Sequence, residues 1–170
     1  MRLIILGAGG YGRTVEDVAA QTGRYEQILF LDDHGKEKDV LGQCSMFSQY
    51  VDASTEFYPA FGNNSIRIEW IRRLKNAGAV VAKIVHPSAY ISPTVFLGVG
   101  IAVLPKAAIS TGCKIQDGAI INLGALVDHG CVIGEGAHIC VGAIVKAENH
   151  IPDGSKIEAG EVIQNRTFPL

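Results

Sequence analysis

Residues 122–145 read NLGALVDHGCVIGEGAHICVGAIV, and the same six-residue pattern extends on both sides, from Ile84 to about Asn165, without insertion or deletion. One position of each hexad is always β-branched or Leu, and its members are Val85, Ile91, Leu97, Val103, Ile109, Ile115, Ile121, Val127, Ile133, Ile139, Val145, Ile151, Ile157 and Ile163. A second column, four residues later, is small or aliphatic until Asn149, Ser155 and Glu161. A third column is mostly glycine.

A period of six excludes both an amphipathic helix and a simple alternating strand. It is typical of a strand that turns a corner every six residues, with the first two columns inward and glycine at a positive-φ corner. Three such sides close a triangular coil, and successive coils stack roughly 4.8 Å apart. The sequence therefore predicts a parallel β-helix of between four and five coils over residues 84–165.

Composition narrows the classes of function. The 170 residues are 48% hydrophobic and 19% charged, with a net charge of −2, which gives no electrostatic reason to expect nucleic acid or a membrane surface as partner. The segment before the first glycines is too short for a signal-peptide core, and no run approaches the ~18 apolar residues of a membrane span. We expect a cytoplasmic protein. The four cysteines form no C-x-x-C pair, so no zinc or redox motif is indicated.

Residues 1–83 predict a small βαβ domain, half of a Rossmann fold. Its signals are a strand at Leu3–Leu6, the loop GAGGYG at Gly7–Gly12, a helix over Arg13–Gln21 and a strand over Gln27–Leu31 that ends in Asp32 and Asp33. Backbone amides of such a loop approach a phosphate, and the acids bind ribose or base donors. A tight turn without a ligand is the alternative. Only three or four strands fit, which favours a mononucleotide or nucleotide-sugar over NAD.

The rest of this half gives weaker signals. We predict a weak strand at Cys44–Phe47, a strand at Phe57–Phe61, a helix over Ile66–Asn76 and a strand over Val80–Val85. In the second helix the predicted apolar stripe is Ile66, Trp70, Ile71 and Leu74, and the predicted solvated stripe is Arg67, Arg72, Arg73 and Lys75. The predicted division is residues 1–83, residues 84–165 and a tail of residues 166–170.

Two histidines interrupt the monotony of the hexads. His129 follows Asp128 at a corner, and His138 comes nine residues later on the next side. Histidine accepts a proton near neutral pH, and a neighbouring carboxylate can orient its ring. We interpret His129 as a candidate general base, with a solvated surface histidine as the alternative. Cys140 raises the alternative of a covalent acyl-enzyme, which proximity alone suggests.

Together these motifs resemble the sialic acid O-acetyltransferases and bacillosamine N-acetyltransferases, a family of hexapeptide-repeat enzymes. The resemblance is carried by the GAGGYG loop, the acidic pair, a G-N-N loop before a helix, H-P where the hexads begin and V-D-H-x-C-x-I-G-x-x-x-H-I-x-x-G-A in the repeat. It covers residues 1 to about 145. It implies a left-handed β-helix and a homotrimer, with no metal. The implied reaction moves an acetyl group from acetyl-CoA to an amino or hydroxyl group of a sugar, often one activated with UDP.

The resemblance also implies roles for individual residues. His129 would be the general base, and His138 would help to bind acetyl-CoA. The nucleotide and sugar would be held by Gly9, Gly10, Tyr11, Asp32, Asp33, Asn63 and Asn64. Backbone N–H groups along the β-helix, such as that of Gly142, offer donors to the thioester oxygen or the pantetheine amides, and Lys146 is a further candidate for CoA.

The sequence departs from the family in three places. Gly130 follows the base where relatives carry an acid, so we hypothesise that Glu148, one coil later in the same column, or Asp128 orients His129; Asp128 also stacks under Lys146. Tyr11 and Arg13 replace the histidine and lysine common in the loop. Relatives add coils after the second histidine, so the tail is interpreted as a cap, with CoA affinity reduced or supplied by a neighbouring subunit.

Two alternatives to an enzyme remain. One is a non-catalytic nucleotide-sugar-binding or scaffold trimer, and the other is a nucleotide-binding regulatory module.

Overall fold

The first part of the chain forms a four-stranded parallel sheet. In this computed structural model, which describes residues 1–35 and 37–169, the strand order is β2-β1-β3-β4. The strands are β1 (Arg2–Leu6), β2 (Gln27–Leu31), β3 (Thr55–Pro59) and β4 (Val80–Val81), and the connecting helices are α1 (Gly10–Gln21), α2 (Asn64–Asn76) and a 3₁₀ helix (Cys44–Tyr50). Leu3 to Leu6 are fully buried, as expected for a parallel sheet covered on both sides.

Three local predictions need correction. The weak strand expected at Cys44–Phe47 is wrong, because this segment is the 3₁₀ helix, tied down where the Cys44 N–H donates to the Asp33 Oδ1 at 2.9 Å. The third strand covers Thr55–Pro59, two residues earlier than predicted, and even its polar residues are buried. Helix α1 begins at Gly10, inside the glycine loop.

Helix α2 buries a different face from the one predicted. Its buried residues are Arg67, Ile68, Ile71 and Leu74, whereas Ile66 is 43% exposed. The placement of Arg67 on the solvated stripe is therefore wrong. A Cβ on Gly118 or Gly136 would approach the Ile68 side chain to 2.6 Å. The glycine corners of the second half let the helix approach closely and so determine its inward face.

The second half is built from fourteen two-residue strands. They are β5 (Ile84–Val85), β6 (Tyr90–Ile91), β7 (Phe96–Leu97), β8 (Ala102–Val103), β9 (Ala108–Ile109), β10 (Lys114–Ile115), β11 (Ile120–Ile121), β12 (Leu126–Val127), β13 (Val132–Ile133), β14 (His138–Ile139), β15 (Ile144–Val145), β16 (His150–Ile151), β17 (Lys156–Ile157) and β18 (Val162–Ile163). Each strand ends on the β-branched or Leu column. The hexad prediction is confirmed strand by strand.

These strands form the three faces of a prism. Face I contains β7, β10, β13 and β16, face II contains β5, β8, β11, β14 and β17, and face III contains β6, β9, β12, β15 and β18. All pairings are parallel, and Val127 lies opposite Val145, one coil of eighteen residues away. This is the parallel β-helix that the period of six predicts.

Positive φ recurs at the corners. From Gly100 to Arg166 every sixth residue has a φ between 56° and 71°, and all of these residues are glycine except Lys106, Glu148 and Arg166. The predicted role of the glycine column is confirmed. The three exceptions adopt a conformation that disfavours side chains by roughly 1–2 kcal/mol each. Two of them, Glu148 and Arg166, stack directly on one another.

The prism interior is apolar up to its last coil. The inward columns form one buried cluster that includes Cys113 and Cys131, both free thiols. Asn149 is fully buried at the end of the small column. Its amide nitrogen donates to the Lys146 and Gln164 carbonyl oxygens, both at 2.8 Å, and its Oδ1 accepts the Phe168 N–H at 2.9 Å. Asn149 thus folds the last residues over the end of the core.

The two parts share a hydrophobic core. Ile84, Ala102 and Ile120, which point outward from face II, pack in one buried cluster with residues of β1 and α1. The single strand predicted over Val80–Val85 is wrong, because the chain passes from the first sheet to face II between β4 and β5. A division at residue 83 stays a prediction.

The prism faces differ in how they are covered. Among the residues described, the buried cluster shared with β1 and α1 contains strand residues of face II and none of face III, and three side chains of face III are exposed: Tyr90 by 61%, Leu126 by 42% and Val162 by 42%. Within residues 1–35 and 37–169, no helix has the length and apolar character needed to cross a membrane.

Candidate active site

His129 lies at the corner where the chain turns from face III to face I. The residue is exposed, and its backbone N–H donates to the Asp128 Oδ1 at 2.7 Å. Its carbonyl accepts the N–H of Glu148 at 3.1 Å. No hydrogen bond or ion pair joins the ring to any other described residue. The main chain at this corner is fixed while the imidazole faces solvent.

Glu148 occupies the space that Gly130 leaves open beside His129. A Cβ on Gly130 would lie 3.6 Å from the Glu148 Cγ. The Glu148 carboxylate binds Arg166 instead of the imidazole, with its Oε2 accepting from the Arg166 Nε and Nη2 at 2.5 Å. The predicted acid is therefore next to the base, but in this protomer Arg166 holds it.

The pairing of Asp128 with Lys146 that their stacking suggested is not formed. The Lys146 Nζ donates to the Gln164 Oε1 at 2.5 Å. Asp128 and Lys146 nevertheless line the same groove of about 330 Å³ on face III. Its other lining residues are Tyr90, Ala108, Ser110, Leu126, Val127 and Ile144. Asp128 and Lys146 form the polar edge of an apolar surface.

His138 has a more enclosed environment. It lies on β14 in face II, and its Nε2 is 2.9 Å from the Asn122 Nδ2. The Asn122 Oδ1 accepts the Leu123 N–H at 2.8 Å, so the amide nitrogen must be the donor to the imidazole. Nε2 is then an acceptor, and the proton of the neutral ring is on Nδ1. The local network selects one tautomer.

The charge state of His138 follows from its surroundings. Burial, and then the positive charges of Arg67 and Lys156, lower the pKa of His138 to about 4, against an opposing effect of Glu158. The ring is therefore neutral at pH 7 and presents an Nδ1–H donor. This suits a group that binds a carbonyl oxygen rather than one that accepts a proton.

The two histidines border face III from opposite sides. His129 is at the corner with face I, whereas Asn122 and its partner His138 lie where face II meets face III. The groove on face III is lined by Asp128 but by neither imidazole. One protomer does not bring the two rings around a single cavity.

The predicted acids of the nucleotide site support the glycine loop. The Asp32 carboxylate accepts N–H groups from Ala8 at 2.7 Å, His34 at 2.7 Å and Gly35 at 2.8 Å. Partial burial alone would raise the pKa of Asp32, but these three donors outweigh it and lower the pKa. Asp33 remains exposed, with one carboxylate oxygen on the Cys44 N–H.

The glycine loop leaves room for a ligand. Gly9 and Gly10 are exposed at the start of α1, and a Cβ on either would meet nothing within 4 Å. The Tyr11 hydroxyl turns inward and lies 2.7 Å from that of Tyr58. Burial raises the pKa of Tyr11 well above its ordinary value. The backbone of the loop is open to a ligand, whereas the Tyr11 side chain packs inside the domain against Tyr58.

The G-N-N loop is occupied by structural contacts. Asn63 caps α2 by accepting the Ile66 N–H at 3.0 Å. Asn64 donates to the Gly154 carbonyl at 2.9 Å and accepts from the Arg67 Nη2 at 2.8 Å. A contact of either amide with a sugar stays a prediction.

The backbone donor predicted at Gly142 is already used. Gly142 is exposed, but its N–H donates to the Leu123 carbonyl at 2.9 Å. The Gly142 N–H is therefore not free in this conformation, and its role as a donor to the thioester oxygen or the pantetheine amides stays a prediction. The Nδ1–H of His138, four residues earlier, has no acceptor among the residues described and is a donor that a ligand could use.

Two residues that the sequence reasoning missed belong to this region. Asn122 sets the tautomer of His138, and Arg67 lies fully buried under the coil that carries it. A signal for Arg67 was present, since it is in helical phase with the buried Ile71 and Leu74. Asn122 has no such signal, because its contact joins two coils.

The residue environments also bear on two other chemistries, metal binding and covalent catalysis by a cysteine. Among the residues described, no three His, Cys, Asp or Glu side chains are grouped so that they could hold a metal ion. Burial raises the pKa of the Cys140 thiol, and a protonated thiol is a weak nucleophile. The residue environment does not support a covalent acyl-enzyme on Cys140.

A parallel β-helix of hexads, joined to a glycine-loop domain and carrying one histidine at a corner and another on a neighbouring face, defines a hexapeptide-repeat acyltransferase. A family model described as the PglD N-terminal domain matches residues 2–74. The solved acetyltransferase domain of PglB from Neisseria gonorrhoeae FA1090 superposes with a TM-score of 0.94 at 31% identity, over 97% of this chain and 83% of that chain. The same domain in complex with acetyl coenzyme A gives a TM-score of 0.92 at 32% identity, over 97% and 82% of the two chains.

A third structure shares the fold. The perosamine N-acetyltransferase from Caulobacter crescentus, solved as a histidine-to-asparagine variant with CoA and GDP-perosamine, superposes with a TM-score of 0.83 at 23% identity, over 99% of this chain and 90% of that chain. The chain belongs to the hexapeptide-repeat acetyltransferases, which are acetyl-CoA-dependent enzymes. The predicted left-handed parallel β-helix behind a half-Rossmann domain is thereby confirmed.

Proposed function

We propose that this protein transfers the acetyl group of acetyl-CoA to an amino or hydroxyl group of a nucleotide-activated sugar or a sialic acid, with His129 as general base. The observation that carries the proposal is the exposed His129 ring at a coil corner, in a fold that follows an acetyl-CoA-bound domain over 97% of the chain. A relative of the same fold holds CoA and GDP-perosamine, which supports a nucleotide-sugar as acceptor.

The proposed reaction is a direct attack on the thioester. The acceptor nitrogen or oxygen bonds to the acetyl carbonyl carbon while the His129 imidazole takes its proton, giving a tetrahedral intermediate. The intermediate then collapses, the C–S bond breaks, and the imidazolium returns the proton to the CoA sulfur. A positioned general base of this kind contributes typically 10²- to 10⁴-fold to the rate.

His138 is proposed to hold the donor substrate. Its Nδ1–H, left by the hydrogen bond from Asn122 to Nε2, would donate to the acetyl carbonyl or a pantetheine amide. Lys146, at the polar edge of the groove on face III, is the proposed cation for CoA. Acetyl-CoA is the co-substrate, and no metal takes part in these steps.

The nucleotide part of the acceptor is proposed to bind over the glycine loop. The open space above Gly9 and Gly10 lies at the N-terminus of α1, where backbone N–H groups and the helix dipole favour phosphate. The exposed Asp33 is placed to accept from ribose or base donors. Tyr11, Asp32, Asn63 and Asn64 would shape this region through their contacts within the protein.

A homotrimer would complete the site. Face III carries exposed apolar side chains between the corner of His129 and the corner of Asn122. In a closed ring of three copies, a heterologous contact through this face sets one edge of a protomer against the opposite edge of the next. His129 of one protomer would then approach His138 of its neighbour.

The acid that orients His129 is proposed to be Glu148 or Asp128. Glu148 lies over Gly130 and Asp128 precedes the base, and ligand or partner contacts could release Glu148 from Arg166. Glu148→Gln or Asp128→Asn should change the pH dependence of the acetylation rate. An unchanged pH–rate profile in both variants would exclude both acids as orienting groups.

The test of the function combines binding with turnover. Calorimetry with acetyl-CoA, UDP and GDP should show binding of acetyl-CoA and of at least one nucleotide. Acetyl transfer to UDP- and GDP-linked amino sugars should fall by about 10²-fold or more in His129→Ala. His150→Gln, a change at an exposed histidine on β16, is the matched control and should keep the wild-type rate.

The outcomes separate the classes of function. Nucleotide binding without acetyl-CoA binding would favour a non-catalytic nucleotide-sugar-binding trimer. Binding of neither would leave a scaffold. Equal acetylation rates in wild type and His129→Ala would remove His129 as the base.

A further inference from the structure

Arg67 is a buried cation at the junction of the two parts of the chain. Its side chain has no exposed surface, and all its observed partners are neutral. Nε donates to the Gly118 carbonyl, Nη1 to the Phe61 carbonyl and Nη2 to the Gly136 carbonyl, each at 2.8 Å. One guanidinium thus joins the loop after β3 to two successive coils of the prism.

Asn64 extends this contact to a third coil. Its Oδ1 accepts from the Arg67 Nη2, and its Nδ2 donates to the Gly154 carbonyl at 2.9 Å and the Ser155 carbonyl at 3.4 Å. Ser155 also accepts the backbone N–H of His138 at 2.8 Å. The network therefore reaches the main chain of His138 from Gly136, two residues before it, and from Ser155, one coil beyond it.

The charge on Arg67 has no carboxylate partner among the residues described. Burial lowers the pKa of the Arg67 guanidinium, but an arginine stays protonated in proteins. The Tyr58 and Tyr11 hydroxyls face it from the nucleotide domain. On the prism side it faces His138, which also has Lys156 and Glu158 one coil above and Asn122 one coil below.

We infer that Arg67 is a positioning residue for His138: it fixes the main chain around this histidine and places a buried positive charge beside the imidazole, so that the ring meets acetyl-CoA as a neutral hydrogen-bond donor. The inference rests on the proposed role of His138 in binding acetyl-CoA. The cation that acts on His138 is carried by α2 of the N-terminal domain.

Protonation of His138 would break this arrangement. An imidazolium is a donor at both nitrogens, so its Nε2–H would oppose the Nδ2–H of Asn122 at 2.9 Å. The ring would then lose its anchor and rotate. A nearby cation disfavours the charged ring and so keeps the anchor in place.

The first experiment measures the His138 pKa by NMR in ligand-free protein with labelled histidine, using His138→Gln to assign the signal. Arg67→Met should raise the His138 pKa by about one unit, a tenfold change in proton affinity. Arg72→Met is the matched control, because Arg72 is an exposed arginine on the same helix. It should leave the His138 pKa unchanged.

The second readout separates the donor from the acceptor. Arg67→Lys keeps the charge but loses most of the fork of donors, so it should leave the His138 pKa near the wild-type value and raise KM for acetyl-CoA several-fold. KM for the nucleotide-sugar should change less. A folded Arg67→Met protein with an unmoved His138 pKa would overturn the inference.

If Arg67→Met does not fold, a second variant, Asn64→Ala, still tests the inference. Asn64→Ala removes the contact with the third coil and keeps the buried charge, so it should raise KM for acetyl-CoA without moving the His138 pKa. An unmoved KM for acetyl-CoA in both Arg67→Lys and Asn64→Ala would refute the positioning role. The NMR titration needs no turnover, so a failed acetylation assay would count against the proposed function and leave this result standing.

Discussion

His129 and His138 lie in the same repeat but in different kinds of environment. His129 is exposed at a corner, its ring bonds to no described residue, and its neighbour Glu148 is held by Arg166. His138 is largely enclosed, its Nε2 accepts from Asn122, and its pKa is lowered to about 4. The His129 imidazole is therefore open to a ligand, whereas the protein already fixes the tautomer and the charge of the His138 imidazole.

The difference comes from what covers each side of the prism. The N-terminal domain packs on face II and brings Arg67 beneath the coil of His138. Within residues 1–35 and 37–169, the buried clusters of the N-terminal domain include no residue of the face III strands and not His129. The repeat supplies equivalent backbone positions, and the packing against them decides the chemistry of each side chain.

Adding a charge to face III tests whether His129 of one protomer must approach His138 of a neighbouring protomer. Leu126→Arg puts a cation in the middle of this face, where burial of an unpaired charge would cost several kcal/mol. We expect light scattering to show a monomer and the acetylation rate to fall by about 100-fold or more. Phe96→Arg changes an equally apolar, 62% exposed side chain on face I and should leave the oligomeric state and the rate of the wild type unchanged. A trimeric, active Leu126→Arg protein would contradict the shared site.

Removing the cap of the last coil tests how much the tail, which supplies the Arg166 partner of Glu148, stabilises the fold. Asn149→Ala leaves the Lys146 and Gln164 carbonyls and the Phe168 N–H without this partner. The loss of these buried bonds should lower the free energy of unfolding by about 2–4 kcal/mol. Urea unfolding measures it, with Ser155→Ala, a partly exposed member of the same column, as a control within about 0.5 kcal/mol of wild type.

A matched pair of glycines compares the covered corner with an open one. Gly136 and Gly142 have φ of 66° and 65°, but a Cβ would meet the Ile68 Cγ1 at 2.6 Å in the first case and nothing within 4 Å in the second. Both alanine variants carry the positive-φ penalty. Gly136→Ala should be less stable than Gly142→Ala by about 1–2 kcal/mol, because α2 must move. Equal urea midpoints would show that α2 yields without strain.

The pH dependence of stability should reveal the enclosed histidine. The folded pKa of His138 is about 4, below the ordinary value near 6.5, so the unfolded chain binds the proton more tightly between these pH values. Stability therefore rises from about pH 4 to 6.5, by on the order of 1 kcal/mol after allowance for the partly exposed ring. Urea unfolding at pH 5 and pH 7 should show this difference in wild type, and it should shrink in His138→Gln. The same slope in both proteins would assign it to other groups.

The structure of the β-helix could be predicted from the sequence because each residue type occupies one position in every coil. The β-branched column predicts the strand ends from Val85 to Ile163, and the glycine column predicts the positive-φ corners. The candidate histidines stood out for the same reason, as polar residues in a uniform pattern. Local sequence suffices where the environment repeats.

Sequence reasoning failed where two elements pack on each other. Arg67 reads as part of a basic surface stripe, yet it is buried because glycine corners let α2 approach the prism. Glu148 was correctly placed over Gly130 by counting coils, but its partner Arg166, a further coil away, was not anticipated. Such contacts depend on the distance between surfaces, which no local pattern encodes.

The hexads alone thus determined the β-helix, its two inward columns, its glycine corners and the corner of His129, since a period of six with glycine at positive φ has one structural solution. Tertiary structure alone decided that His138 is neutral with its proton on Nδ1, that Arg67 lies beneath it and that face III stays open. These properties arise from burial and from charges brought together across coils and domains. Such distances are set by packing, and residue spacing does not reveal them.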